Sequence, residues 1–88
     1  MKTVTWGANE YGYTVQVWDG GECVHDYSAG NNRHESSCRI APDSPNAVPL
    51  TQLREWAVET ANDIAKEFDV PADQVSEDPD LVEDWTNV

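Results

Sequence analysis

Apolar and polar side chains alternate along residues 1–27, which is the pattern of β-strands with one buried face. Val4 and Trp6 alternate with threonines in the first run. The second run spans residues 11–18, and its expected inner face consists of Tyr11, Tyr13, Val15 and Val17. Asp19-Gly20 is a short hairpin signal, after which Glu22–Tyr27 forms the returning strand. The pattern therefore predicts an antiparallel β-meander over residues 1–27.

The length of the hairpin turn decides which side chains of the returning strand face the core. A two-residue Asp19-Gly20 turn places Val24 opposite Val15, and therefore in the core. A three-residue turn would reverse the faces. We expect the two-residue turn because it buries Val24. The residues on the opposite face are then Trp18, Cys23, His25 and Tyr27.

Residues 28–49 are rich in Gly, Asn, Ser and Pro and are expected to form a long loop. Residues 50–68 carry apolar side chains at three- and four-residue spacing, the signature of an amphipathic helix. The apolar positions are Leu50, Leu53, Ala57, Ala61, Ile64 and Phe68. Residues 69–88 form an acidic C-terminal segment in which Asp78-Pro79 predicts the start of a short helix. Leu81, Val82 and Trp85 are its expected inward residues.

These elements predict a single α+β domain over residues 1–88, since a chain of this length is of single-domain size. The expected architecture is a three-stranded antiparallel β-sheet packed on one long α-helix, with a short C-terminal helix. The sheet face that the helix does not cover, which includes Thr14, Gln16, Trp18 and Tyr27, is a possible homodimer surface.

The chain carries 17 Asp and Glu residues against five Lys and Arg, a formal net charge of −12. Residues 51–88 hold 11 of the acids and two of the bases, so that they carry −9 and residues 1–50 carry −3. Such a field repels nucleic acids and anionic membranes and attracts basic protein surfaces. No run approaches the ~20 apolar residues of a membrane-spanning helix. We therefore expect a cytoplasmic protein. The alternative explanation of the charge is that it reflects an acidic proteome.

Four carboxylates recur at four-residue steps along the predicted helix, opposite its apolar side: Glu55, Glu59, Asp63 and Glu67. We call these four residues the acidic stripe. Successive carboxylates are about 6 Å apart along the axis. Like charges at this spacing destabilise a helix by roughly 0.2–0.5 kcal/mol per pair. Trp56 projects beside the stripe, and tryptophan is enriched at interface hot spots. The alternative for Trp56 is packing under the terminal helix, against Leu81 or Trp85.

The acidic C-terminal segment is expected to extend this surface. Its contributing residues are Glu77, Asp78, Asp80, Glu83 and Asp84. Together with Trp56 and the stripe, they form the predicted partner-binding set.

Both histidines and both cysteines lie within one 16-residue window, at Cys23, His25, His34 and Cys38. Two residues apart on a strand, Cys23 and His25 are expected to point the same way. Four such ligands can close a tetrahedral zinc site, although Cys-x-His is not the usual ligand spacing. A small zinc-stabilised interaction module is therefore an alternative function. Otherwise the sequence predicts no cofactor.

The chain contains neither a nucleophile elbow nor a phosphate-binding glycine loop. His34 and Glu35 near a cysteine do not by themselves define a nucleophile–base pair. We therefore expect that the protein is not an enzyme.

In its brevity, its charge, its aromatic-rich meander with one helix and its lack of a catalytic signature, the chain resembles small phage-encoded anti-defence proteins, including anti-CRISPR proteins. The resemblance implies stoichiometric binding, often within the nucleic-acid channel of a host effector, in the host cytoplasm. The expected partner is a basic protein surface on a nucleic-acid-binding protein, with no direct binding to nucleic acid or membrane. The alternative without inhibition is an accessory domain of an acidic proteome.

Overall fold

The computed structural model describes residues 1–32 and 39–83. Three long strands come first: β1 is Lys2–Asn9, β2 is Gly12–Asp19 and β3 is Glu22–Gly30. The single α-helix of the described residues, α1, is Leu50–Glu67, and a short strand, β4, is Val75–Glu77. The strand order in the sheet is β3-β2-β1-β4. The α+β class and the long helix are as predicted.

The sheet has four strands and is mixed, so the prediction of a three-stranded antiparallel sheet was wrong. β1, β2 and β3 form the expected antiparallel meander, but β4 lies parallel to β1, with Val75 beside Val4 and Glu77 beside Trp6. β4 has only three residues, of which Val75 alone is apolar. Such a short segment lacks a readable alternation, and its strand conformation comes from pairing with the edge of β1.

Helix α1 covers the inner face of β1 and β2. That face carries Val4, Val15 and Val17, all fully buried, and Val4 lies directly opposite Val17. The predicted apolar positions of the helix face this layer. Leu53, Ala57, Ala61 and Ile64 are buried and Phe68 packs against them, whereas Leu50, the first residue of the helix, is exposed. Two alanines at the centre of the contact leave little side chain between the helix and the sheet.

The β2–β3 hairpin differs from the prediction in its turn and in a bulge, and the bulge changes the faces of β3. The two-residue loop is Gly20-Gly21, with φ values of 61° and 93° that glycine adopts readily. Trp18 pairs with Cys23, but Val17 pairs with His25, so that Val24 is an extra, bulged residue.

The predicted burial of Val24 was therefore wrong, and its side chain is 44% exposed. The bulge brings His25 and Tyr27 onto the inner face, because paired residues share a face of the sheet. Two consecutive glycines moved the turn, and the bulge then shifted the register by one residue.

β3 is also three residues longer than predicted, so residues 28–30 are strand and not loop. After β3, Asn31 is fully buried and fastens the following segment to the sheet. Its side-chain amide donates to the backbone carbonyls of Glu10 and Ile40 and accepts from the Ile40 N–H, at 2.8–2.9 Å. These bonds fix the loop that leads into α1.

Helix α1 ends in a Schellman motif, in which Asp69 takes the left-handed conformation with φ 58°. The N–H of Asp69 bonds to the carbonyl of Lys66, and the N–H of Val70 bonds to that of Ala65. The chain thus reverses direction and returns along the edge of β1 as β4.

The predicted short C-terminal helix is a 3-10 helix, Pro79–Val82. The Asp78 carboxylate accepts the Asp80 N–H as its N-cap. A Cβ built at Gly7 would lie 2.6 Å from the Asp78 carbonyl oxygen, so this segment lies against the sheet face opposite α1. Val82 is buried there, whereas Trp85 lies outside the described residues.

Candidate interaction surface

The acidic stripe lies on the solvent side of α1, and all four of its residues are exposed. Within the described ranges, no basic group lies within 4.0 Å of a stripe carboxylate. Glu55 accepts one hydrogen bond from the Gln52 amide at 3.3 Å. Lys66 is an exposed basic residue of the same helix. The repulsion within the stripe is therefore not neutralised by internal ion pairs in the described part of the chain.

Trp56 lies at the border of the stripe, and its side chain is 37% exposed. Of the two contacts in the alternative prediction, packing against Leu81 is wrong, and Trp85 lies outside the described residues. Leu81 approaches Gly7 from the sheet face opposite α1, so the sheet separates it from the helix. Trp56 therefore presents part of its indole to solvent beside the carboxylates.

Tyr27 extends this surface onto the sheet, and its ring lies beside that of Tyr13, which is buried. The rings of Tyr13 and Tyr27 are 6.3 Å apart and inclined at 40°, and the Tyr13 hydroxyl lies 3.5 Å from the Thr60 hydroxyl on α1. We call Tyr13 and Tyr27 the tyrosine pair. Burial raises the pKa of Tyr13, and the neighbouring Tyr27 and the negative charge of Glu59 raise it further. The tyrosine pair is thus within electrostatic reach of the stripe.

The sequence pattern did not identify the tyrosine pair as a unit, because the predicted register placed Tyr27 on the outer face. The bulge at Val24 reverses that assignment. Tyr27 is 40% exposed, since α1 packs on β1 and β2 and leaves β3 largely uncovered. Gly20-Gly21 moves the turn by one position but would by itself leave Tyr27 on the outer face, so the sequence pattern carried no signal for this reversal.

Glu77 is neutralised within the chain. Its carboxylate accepts two hydrogen bonds from the Arg54 guanidinium, at 2.8 and 3.0 Å. These bonds lower the pKa of Glu77 and raise that of Arg54. The guanidinium also lies 5.2 Å from the centre of the Trp6 ring. Glu77 therefore links β4 to α1, and its charge is paired with Arg54 instead of being available to a partner.

The other acids of the C-terminal segment do not form one surface with the stripe. Asp78 is half-buried and caps the 3-10 helix, while Asp80 and Glu83 are exposed. This segment packs across the sheet face opposite α1, so the sheet lies between it and the stripe. Asp84 lies outside the described residues. The predicted continuous extension of the acidic surface is therefore not formed by Asp78, Asp80 and Glu83.

The predicted common direction of Cys23 and His25 was wrong. The bulge directs Cys23 to the outer face with Trp18 and His25 to the inner face with Val17. The His25 ring lies 5.1 Å from the Phe68 ring, and the Cys23 thiol donates to the His25 carbonyl at 3.4 Å. Among the described residues, no three His, Cys, Asp or Glu side chains are grouped to hold a metal. His34 and Cys38 lie outside those residues.

No protein-family model, curated protein or solved structure matches this chain. In the described part of the chain, none of the helices has the length and apolar character to cross a bilayer. The stripe, Trp56 and Tyr27 are exposed and lie on the helix side of the sheet.

Proposed function

We propose that this protein is a stoichiometric, non-catalytic binding protein that docks its acidic helix on a basic surface of a nucleic-acid-binding protein. Binding would inhibit that partner by occupying the place of its nucleic acid. The observation that carries the proposal is the exposed acidic stripe, whose charges have no basic group within 4.0 Å among the described residues.

The energetics of the stripe support a role outside the folded chain. Its three i,i+4 pairs together destabilise the helix by about 1 kcal/mol. Nothing in the fold requires this arrangement, since the core contacts of α1 come from the opposite side of the helix. A basic partner would remove the repulsion on binding and would gain charge-assisted contacts.

The spacing of the stripe is compatible with mimicry of a phosphate backbone. Successive carboxylates rise about 6 Å, which is close to two phosphate steps of one DNA strand at 3.4 Å each. A surface evolved for phosphates would therefore meet negative charge at similar intervals along the helix.

Affinity requires anchors in addition to charge. Complementary charge mainly increases the association rate and sets specificity. Trp56 and Tyr27 offer partly exposed aromatic rings beside the stripe, and tryptophan and tyrosine are the side chains most enriched at binding hot spots. We infer that the carboxylates steer the partner and that these two rings hold it.

To test the proposal, the protein is immobilised and used to capture its binding partners from a lysate of the source cells. The wild type is compared with a stripe-reversed variant carrying Glu59→Lys, Asp63→Lys and Glu67→Lys. We expect the wild type to retain a nucleic-acid-binding protein that free DNA or RNA displaces. The variant should bind that protein at least tenfold more weakly, a loss of about 1.4 kcal/mol or more.

A matched control carries the same change of charge at exposed acids away from α1: Glu10→Lys, Asp43→Lys and Asp73→Lys. The control should bind like the wild type at 0.15 M salt, because its charges lie outside the docking surface. Equal capture by all three proteins would contradict the proposal and would leave the accessory-domain alternative. Capture that nucleic acid does not displace would contradict the inhibitory mechanism.

A further inference from the structure

We propose that the outer edge of β3 is a docking site for an extended, basic segment of the partner, which would add a strand to the sheet. This inference rests on the proposed function, because it specifies how the basic partner is held.

β3 is an edge strand of the sheet, and among the described residues its strand partner is β2. It is nine residues long, and six of its first seven residues, Glu22–Ser28, are exposed. On an edge strand, alternate residues direct their N–H and C=O groups away from the sheet, where another chain can bind them. The bulge at Val24 interrupts the ladder, and Ala29 and Gly30 are buried, so the regular tract open to a partner is His25–Ser28.

The opposite edge of the sheet does not offer an equivalent site. β4 has three residues, and the ion pair between Glu77 and Arg54 links it to α1. Short edge strands are one way in which proteins prevent unwanted pairing, and a lysine on the edge is another. β3 is long and contains neither lysine nor proline, and its bulge at Val24, another such device, leaves residues 25–28 regular.

The charges beside this edge select a basic occupant. The side chains of an added strand would alternate between the two faces of the sheet. On the outer face they would meet Asp26, which is exposed. On the inner face they would meet Tyr27, which is 40% exposed and whose ring lies 6.3 Å from that of Tyr13. A lysine or arginine of the added strand would therefore contact the Asp26 carboxylate on the outer face or the Tyr27 ring on the inner face.

A second copy of this chain is a poorer occupant. Each copy carries −12, and pairing of two β3 edges would bring the acidic Glu22 and Asp26 of both copies to one seam. Like charges opposite each other across strands are destabilising. The charge of the chain thus favours a basic segment of another protein over self-association.

The probe is a synthetic ten-residue peptide of alternating lysine and threonine, compared with the same peptide N-methylated at its four central residues. Both have the same charge and side chains, but the second cannot donate from its central backbone. We expect the methylated peptide to bind at least tenfold more weakly. The unmethylated peptide should slow amide hydrogen exchange at alternate residues within His25–Ser28.

Two protein variants complete the experiment. Asp26→Lys should weaken the unmethylated peptide several-fold, whereas the control Asp73→Lys should bind like the wild type, since Asp73 is exposed on another element. Equal affinity for the two peptides, no binding of the unmethylated one, or unchanged exchange at residues 25–28 would overturn strand addition.

These failures are distinguishable from failure of the proposed function, which is decided by the stripe-reversed variant in the capture assay. If that variant loses the partner while the two peptides bind equally, the partner docks on the helix without adding a strand to β3.

Discussion

Removal of two charges from the middle of the acidic stripe should stabilise the protein. The variant carries Glu59→Gln and Asp63→Asn, substitutions that keep the size and the approximate helix propensity of each side chain. Glu59 and Asp63 take part in all three like-charged i,i+4 pairs of the stripe, so the double variant removes every one of them. Both residues are exposed, and neither makes an ion pair within the described ranges.

The expected increase in the free energy of unfolding follows from the number of like-charged pairs removed. At roughly 0.2–0.5 kcal/mol each, three pairs give an increase of about 0.6–1.5 kcal/mol in the free energy of unfolding. For a domain of this size, that corresponds to a rise in Tm of about 2–12 °C. The gain should shrink in 1 M salt, where the Debye length falls to about 3 Å, which is shorter than the ~6 Å between stripe carboxylates.

The assay is urea unfolding followed by circular dichroism, in 0.02 M and in 1 M NaCl. The matched control is Glu10→Gln with Asp73→Asn, which gives the same net charge but leaves the stripe intact. The control should gain less than the stripe variant at low salt. Equal gains in the two variants would show that total charge, and not the i,i+4 pairs, opposes folding. No gain in the stripe variant would refute the claim that the stripe is destabilising.

Two further predictions concern the packing of the C-terminal segment. Gly7→Ala should lower the free energy of unfolding by about 1–3 kcal/mol, because the new Cβ would lie 2.6 Å from the Asp78 carbonyl oxygen. Amide hydrogen exchange at Asp78 should become faster. Unchanged exchange and an unchanged free energy of unfolding would contradict this close contact. A double-mutant cycle with Arg54→Met and Glu77→Gln should give a coupling of about 0.5–1 kcal/mol at pH 7, since the pair is bidentate but partly exposed. Because the pKa of Glu77 is lowered in the folded protein, this coupling should be fully present above the ordinary value of 4.5 and should be lost as the pH falls through the lowered pKa. A coupling independent of pH would contradict the assignment.

The helix and its acidic stripe could be predicted from the sequence because both are local properties. A period of 3.6 residues places Leu53, Ala57 and Ala61 on one side and the carboxylates on the other, whatever the helix packs against. The Asp78 cap was also predictable, since its partner is two residues away. Such features depend only on neighbours within about one turn of the chain.

The faces of β3 were not predictable in the same way. A shift of one residue reverses every side chain of a strand, and here the bulge at Val24 supplied that shift, whereas the Gly20-Gly21 turn alone would have kept the predicted faces. The tyrosine pair depends on this register, because Tyr27 reaches Tyr13 only from the inner face. The predicted common direction of Cys23 and His25 failed for the same reason.

The sequence by itself determined the secondary elements with a strong period, the apolar side of α1 and the exposure of the acidic stripe. Only the tertiary structure decided that β4 joins the sheet, that Glu77 is neutralised by Arg54 and that β3 remains at an edge. Periodicity fixes the direction of a side chain relative to its own element. Which elements become neighbours depends on contacts between residues far apart in the chain, such as the 23 positions that separate Arg54 from Glu77.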